Sequence, residues 1–379
     1  MKTKNKYLVA LLALGVAVVG CMSEKVETGA DESTISGTIG FSGYATISKG
    51  SPIVGNTDFS SASNDFGVTA YISSVSTSAY MGDASEGAQI VYDTDWDYAD
   101  NSDSKYWPTT GETLNFYAYS PFDGSFRGGT LAVSSDDLVI TDFTVPSDIT
   151  SQEDFMYAYE TDVTSSSSSV SSGELTLVFN HALTQINFEV STAQTNLYVQ
   201  IESIAVGNVS SVGDFSAVSG WSGQNTNEQY FASIIADTII GNTAVDLTSS
   251  QDDILMLIPQ TFTPWNGLDN VTDTLREGEG AYVLISCKLY NETDSQKTYL
   301  IGSEDSYAKT ALPISSNDIT WDAATKVTYS IVFAADNSTS GGGGYDPEGD
   351  DDDAVEMIYP ITFTTSVNAW AASSGSLNM

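Results

Sequence analysis

Few side chains in this sequence could carry out chemistry, and their spacing does not favour it. The 379 residues contain a single histidine, His181, and two cysteines, Cys21 and Cys287. Catalytic triads and histidine-rich metal sites need further groups of this kind within reach, so the sequence excludes both. We expect His181 to be a structural histidine that lies in a core or turn and bonds to the backbone.

Carboxylates are too numerous to indicate a site. The chain has 50 Asp and Glu against 12 Lys and Arg, a formal net charge of −38. Pairs of acids therefore occur by chance, and no glycine-rich phosphate loop is present. The run Asp346–Asp353 lacks the alternating ligands of an EF-hand and contains Pro347, so a solvated spacer is favoured over a weak calcium site. We predict no enzymatic activity, no cofactor, no metal and, from the charge, no nucleic-acid partner.

The tryptophans leave a binding function open. Trp96, Trp107, Trp221 and Trp265 could form a platform for sugars, although packing in a core or turn is the commoner use of aromatic side chains. A surface protein that captures glycans or host proteins through aromatic loops is therefore kept as an alternative.

The first 20 residues have the features of a lipoprotein signal peptide. Three lysines precede an apolar stretch over residues 7–19, which is too short to span a membrane. Small residues then lead to Cys21 in a pattern that resembles a bacterial lipobox, the alternative being an ordinary secretory signal. We expect Cys21 to be lipidated. Cys287 then has no partner, so we predict a buried thiol and no disulfide.

From about residue 33 onward, short alternating strands predict an all-β chain. Apolar or small side chains recur at every second position, and no stretch keeps a helical period over three turns. We predict two tandem β-sandwich domains, over residues 50–193 and 194–336. A signal peptide (1–20) and a tether with a first strand (21–49) precede them, and a linker with a last strand (337–379) follows.

The first strand ends at a lysine that a protease could reach. One face of this strand consists of Ile35, Ile39, Phe41 and Ile47. Lys49 and Gly50 follow among small residues, a context in which a lysine is either a solvated loop residue or an accessible site for a protease. Only nine basic residues remain once the signal peptide is removed, and Lys49 is one of them.

The last strand follows a linker rich in Gly, Ser and Asp, a composition that is flexible and self-repelling. One face of this strand consists of Ile361, Phe363, Thr365, Val367 and Ala369. A strand of this kind is an aggregation hazard unless something accepts it. Its place behind a flexible linker indicates a strand that can move.

The order of several motifs resembles Bacteroidales fimbrillins, the subunits of type V pili. The motifs are Asp93–Trp96, Lys105–Pro108, Leu114–Pro121, Asp154–Ala158, Leu177–Leu183, Leu257–Gln260 and Ile361–Trp370. The likeness runs through nearly all of the chain beyond the signal peptide. It implies two transthyretin-like sandwich domains and export as an outer-membrane lipoprotein.

The resemblance also implies a mechanism. In the family a trypsin-like protease cuts after a basic residue behind the first strand, a position that Lys49 would occupy here, although the family usually has arginine. The first strand then leaves, and the C-terminal strand of another subunit fills the groove as a donor strand, a role that the resemblance implies for the last strand of this chain. The expected protein is a subunit of a homo- or heteropolymeric cell-surface fimbrium that serves adhesion. A pilus anchor or tip, or a surface binder that does not polymerise, is the alternative.

Overall fold

The computed structural model describes most of the chain beyond residue 36. The described residues are 37–45, 59–60, 65–75, 77–109, 111–122, 129–248, 254–263, 280–314, 320–335 and 361–369. For residues 44, 45, 313 and 361–369 the description covers the backbone alone. Within these ranges no helix is long and apolar enough to cross a membrane.

Strands dominate the described residues, which confirms the predicted all-β class. The strands of the first half are β1 (Gly40–Ala45), β2 (Phe66–Ile72), β3 (Ala88–Tyr92), β4 (Trp96–Tyr98), β5 (Leu114–Ser120), β6 (Thr130–Val133), β7 (Leu138–Thr144), β8 (Met156–Val163), β9 (Val170–Ser171) and β10 (Glu174–His181). Those of the second half are β11 (Thr184–Thr192), β12 (Leu197–Ser216), β13 (Gly220–Phe231), β14 (Thr238–Ile240), β15 (Val245–Asp246), β16 (Leu255–Leu257), β17 (Gln260–Thr261), β18 (Tyr282–Thr293), β19 (Gln296–Ile301), β20 (Ala308–Pro313), β21 (Thr320–Trp321), β22 (Thr325–Phe333) and β23 (Ile361–Ala369). Short 3₁₀ helices cover Asn101–Asp103 and Ile149–Ser151.

The first sheet has the strand order β1-β10-β8-β5-β2-β3-β4, and β9 also pairs with β10. Strand β1 runs parallel to β10, whereas the other neighbours are antiparallel. Both faces of this sheet are covered in its middle. In β5, Phe116 joins the aromatic core on one face, and Tyr117 and Tyr119 join the larger core on the other. Because of this, β5 is a nearly continuous apolar run instead of a strict alternation.

The second and third sheets pack face to face as a sandwich. The second sheet has the order β15-β11-β22-β23, with β16 also on β11. The third has the order β19-β18-β12-β7-β6, with β13 and β14 on β12 and β20 on β18. Alternate side chains of β11, β12, β18 and β22 are fully buried between the two sheets, among them Phe188, Ile201, Ile285 and Ile331. The period-two pattern of these strands therefore gives each sheet one core face.

The sheets do not stop at the predicted domain boundary after residue 193. Strand β11 lies before it and pairs in parallel with β22 over eight positions, Gln185↔Lys326 to Thr192↔Phe333. Strand β7 also lies before it and pairs with β12. The described residues group as one compact unit. The division into residues 50–193 and 194–336 thus stays a prediction.

The last strand, β23, pairs with the second sheet of its own chain. Its backbone runs antiparallel to β22 over nine positions, from Thr325↔Ala369 to Phe333↔Ile361. This makes β23 the edge of that sheet, next to β22, whose other side is held by β11. The predicted donor strand is thus a strand in this structure, and its role in exchange stays a prediction.

Candidate functional site: the groove that holds the first strand

Strand β1 occupies an edge of the first sheet. Residues Gly40–Ala45 pair in parallel with Glu174–Phe179 of β10, position by position. Among the described strands, β10 is the one with which β1 pairs. An edge strand of six residues can leave a sheet without breaking the pairing of any other strand.

The residues just before β1 are tied to the segment that follows β4. The backbone N–H of Ile39 donates to the carbonyl of Lys105 (2.8 Å), and that of Trp107 donates to the carbonyl of Gly37 (3.1 Å). The Tyr98 hydroxyl donates to the carbonyl of Ile39 at 2.9 Å. The β1 segment therefore lies in a groove between β10 and residues 98–107.

The floor of this groove is aromatic. Phe41 is 2% exposed, and its ring centroid lies 6.1 Å from that of Phe66, 5.9 Å from that of Tyr98 and 6.2 Å from that of Phe116. The three contacts are edge-to-face, the arrangement that aromatic rings favour. Ile39 is fully buried beside it. Burying each of these two side chains contributes about 1.5–3 kcal/mol.

Two residues further along, the groove becomes shallow. A Cβ atom added at Gly43 would lie 3.0 Å from Cε1 of Phe59, 3.5 Å from Cε2 of Phe179 and 3.6 Å from Cε1 of Phe66. Phenyl rings fill the space that a side chain would need. A strand in this groove thus needs a small residue two positions after its aromatic one.

The other face of β1 is polar. The Ser42 hydroxyl lies 3.0 Å from the hydroxyl of Thr176, its partner in the ladder, and both side chains are partly exposed. The residue that faces Thr176 therefore identifies the register of the strand that lies beside β10.

Tyr98→Phe is expected to loosen β1 without changing the aromatic floor. The phenyl ring keeps the contact with Phe41, but the Ile39 carbonyl loses its donor, a cost of about 1 kcal/mol. Burial raises the pKa of Tyr98 above its usual value near 10, and the charges of Asp97 and Asp103 add to this. The neutral hydroxyl is the stabilising form, so its contribution is complete below pH ~10 and is lost as the pH rises through the raised pKa.

Urea unfolding of the Tyr98→Phe chain and of the unsubstituted chain between pH 8 and pH 11 measures the contribution of this hydroxyl. The difference in unfolding free energy should be constant up to pH ~10 and should shrink above it. A difference that does not change with pH would contradict the assignment.

The structure brings some of the predicted residues together and leaves others apart. Ile39 and Phe41 do lie in one groove. Lys105 and Trp107 of the Lys105–Pro108 motif bond to the chain just before β1, and residues 177–179 of the Leu177–Leu183 motif pair with β1 on its other side. Cys21, Ile35, Ile47, Lys49 and Gly50 lie outside the described residues and stay predictions. Sequence reasoning missed Tyr98, Phe59 and the tight slot at Gly43, because no local pattern reveals a contact between residues so distant in the chain.

His181 takes no part in this groove. It is buried at the end of β10, and its Nδ1 lies 2.8 Å from the Oδ2 of Asp154, which is also buried. The structural role that we expected fits this position, but this bond goes to a carboxylate, whereas we expected one to the backbone. Among the described residues no group of three or more His, Cys, Asp or Glu could hold a metal ion.

Cys287 is expected to be inert toward thiol reagents in the folded protein. It is fully buried in β18, and burial raises the pKa of its thiol to about 12. The thiolate is the reactive form, and it is scarce at neutral pH. Labelling with 5,5′-dithiobis(2-nitrobenzoate) should be negligible in buffer and stoichiometric in 6 M guanidinium; rapid labelling of the folded chain would contradict the burial.

The tryptophans do not form a common platform in the described residues. Trp96 and Trp107 are buried in the core of the first sheet, as the core-packing interpretation expects. Trp221 is partly exposed and borders a cleft of about 530 Å³ that is also lined by Gln224, Thr261, Thr320 and Asp322. Trp265 lies outside the described residues. This cleft is a second place where the protein could bind a ligand.

Comparison with known proteins agrees with this architecture. A fimbrial protein from Bacteroides vulgatus shares the fold, with a TM-score of 0.57, 15% identity and coverage of 88% of this chain and 99% of that one. A proposed cell adhesion protein from Bacteroides ovatus is a weaker match, with a TM-score of 0.44, 13% identity and coverage of 90% and 100%. No curated protein sequence matches. The fimbrillin-like family model matches residues 54–344, well over half of the chain. The sandwich-like sheets and this match together show that the chain belongs to the fimbrillin-like family.

Proposed function

We propose that this protein is a structural subunit of a cell-surface fimbrium that is exported as a lipoprotein, processed after Lys49 and polymerised by donor-strand exchange. Membership of the fimbrillin-like family supports a fimbrial or adhesion subunit at the cell surface. The observation that carries processing after Lys49 and strand exchange is the position of β1. It is an edge strand in an apolar groove, and its end lies four residues before Lys49.

Loss of β1 would leave a groove that demands a replacement. Leu175, Leu177 and Phe179 of β10 are fully buried while β1 is present. Removal of β1 exposes apolar surface in this region and leaves the backbone groups of β10 without partners on one side. An added strand restores both the hydrogen bonds and the apolar contacts, which is the general basis of recognition by strand addition.

Strand β23 has the chain length to reach another subunit. Residues 334–360 join it to β22, and a fully extended chain of this length spans about 90 Å. When β23 moves to a neighbour, it gives up its ladder with β22 of its own chain and forms one with β10 of the neighbouring subunit. The subunit that receives β23 is then a second copy of this chain or another pilus subunit. A trypsin-like protease opens its groove by cutting behind the first strand.

Intact mass and N-terminal sequencing of the protein from cell-surface material test the proposal. A chain that starts at Gly50 and carries no lipid is the expected result, since cleavage after Lys49 removes the lipidated residue together with β1. A lipidated chain that starts at Cys21 as the sole form would overturn assembly by this route.

A surface binder or a pilus anchor or tip is the second candidate, and two observations favour it. Strand β23 pairs with β22 of its own chain over all nine of its positions, and the cleft beside Trp221 is also lined by polar side chains, among them Gln224, Thr261 and Asp322. Deletion of residues 355–379 separates the two functions. A binder should keep its binding to host glycans or proteins, whereas a polymerising subunit should lose assembly; a melting curve of the shortened chain establishes that it still folds.

A further inference from the structure

The C-terminal strand repeats the side-chain pattern of the first strand. Both segments read Ile-x-Phe-x-small, with Ile39, Phe41 and Gly43 in one and Ile361, Phe363 and Thr365 in the other. We propose that β23 of a second copy enters the β1 groove in the register that puts Phe363 in the place of Phe41. This inference rests on the proposed function and adds to it the register of exchange, which decides which side chains specify the partner.

The aromatic floor selects the position of Phe363. The place of Phe41 is enclosed by the rings of Phe66, Tyr98 and Phe116 at centroid distances of 5.9–6.2 Å. A phenyl ring matches this space in size and in edge-to-face geometry, and a threonine or valine there would leave a void.

The shallow end of the groove excludes the neighbouring registers. If β23 moved two positions one way, Phe363 would fall at Gly43, where even a Cβ lies 3.0 Å from Phe59. If it moved two positions the other way, Thr365 would replace Phe41 and Val367 would enter the tight slot. In the proposed register Thr365 takes that slot. A Cβ alone requires Phe59 to give by a few tenths of an ångström, and the γ atoms of Thr365 require a further movement of the ring. Threonine and valine are similar in size, so the void at the place of Phe41 is what disfavours the register with Val367 in the slot.

Slips by a single residue are excluded by polarity. They would turn Thr362, Thr364 and Ser366 toward the aromatic floor and place the apolar residues on the solvent side. A slip would therefore put two or three hydroxyls on the aromatic floor and Phe363 in solvent, whereas the proposed register puts one hydroxyl there, that of Thr365. Burying a polar group without a partner is costly, so the slipped registers are disfavoured.

The solvent-facing pair beside β10 provides the experiment. Ser42 faces Thr176 in the precursor, and the proposed register places Thr364 there instead. We would express the full chain with Thr176→Cys in a Bacteroidales host, together with Thr362→Cys, Thr364→Cys or Ser366→Cys. Fimbrial material is then oxidised and run on non-reducing gels, and the linked peptides are identified by mass spectrometry. The Thr176→Cys/Thr364→Cys chain should give a ladder of disulfide-linked subunits that reductant removes.

A matched control shows that the site can form a disulfide. In a Lys49→Ala background, Ser42→Cys with Thr176→Cys should close within one chain, because the two hydroxyls lie 3.0 Å apart. Fimbriae in which the ladder is strongest with Thr362→Cys or Ser366→Cys, or forms with none of the three, would overturn the register while leaving strand exchange in place. Absence of polymers in the unsubstituted chain would overturn the proposed function and the register with it.

A second variant tests the slot directly. Thr365→Phe should abolish assembly, because it brings a second ring against Phe59, Phe66 and Phe179. Normal assembly of Thr365→Phe would overturn the register.

Discussion

Phe41→Ala is expected to destabilise the unprocessed chain by about 3–5 kcal/mol, the usual cost of deleting a buried phenyl ring. Phe41 is 2% exposed and contacts three aromatic rings, so the deletion leaves a cavity that its rigid neighbours cannot fill. Urea unfolding of the purified precursor measures the loss. The control is Ser42→Ala, which removes a partly exposed hydroxyl from the other face of the same strand and should cost well under 1 kcal/mol.

The same substitution also tests whether β1 is a temporary occupant. After cleavage behind Lys49 and departure of β1, the mature chains made from Phe41→Ala and unsubstituted precursors are identical and must have the same stability. Before cleavage, the weaker strand should leave faster, so β1 release after protease treatment should accelerate. A precursor loss below about 1 kcal/mol, or an unchanged rate of release, would contradict the role assigned to the groove.

Lys49→Ala is expected to abolish fimbrial assembly, which is the largest effect on function predicted for this chain. Without a basic residue behind β1, a trypsin-like protease has nothing to cut there, and β1 keeps the groove closed. The surface form should then be the lipidated chain that starts at Cys21. Its mass, together with electron microscopy of the cell surface, measures the outcome.

Two matched variants make this result specific. Lys25→Ala removes the lysine that precedes β1, and it should leave assembly intact, since cleavage at residue 25 would not separate β1 from the rest of the chain. Lys49→Arg keeps a basic residue and tests the departure from the family, which usually has arginine; faster processing would indicate a protease that prefers arginine. Normal fimbriae from Lys49→Ala would contradict the proposed processing site.

The observed pairing of β23 fits a subunit that has not yet been assembled. Strand β23 covers the free edge of β22, and β1 covers the free edge of β10. Each edge would otherwise be open to pairing with any extended chain, which is a known route to aggregation. Exchange then replaces two intramolecular ladders by one between subunits, and the register argued above makes this replacement selective.

The sequence by itself determined the elements of this protein. Period-two patterns located its strands, because a strand with one buried face must alternate. The Ile-x-Phe pattern near residue 40 and that near residue 361 were visible for the same reason. The fimbrillin resemblance rested on the order of short motifs, and the family match over residues 54–344 confirmed it.

Only the tertiary structure decided how these elements pair. The sequence did not indicate that β1 lies parallel to β10, that β11 pairs with β22 from the other side of the predicted boundary, or that β23 pairs with β22 of its own chain. Nor did it show that Tyr98 holds Ile39, or that Phe59 and Phe179 leave room only for a small residue beside them. Alternation fixes which side of a strand is apolar, but the choice of neighbour depends on the shapes of side chains that are far apart in the chain and that meet only after folding.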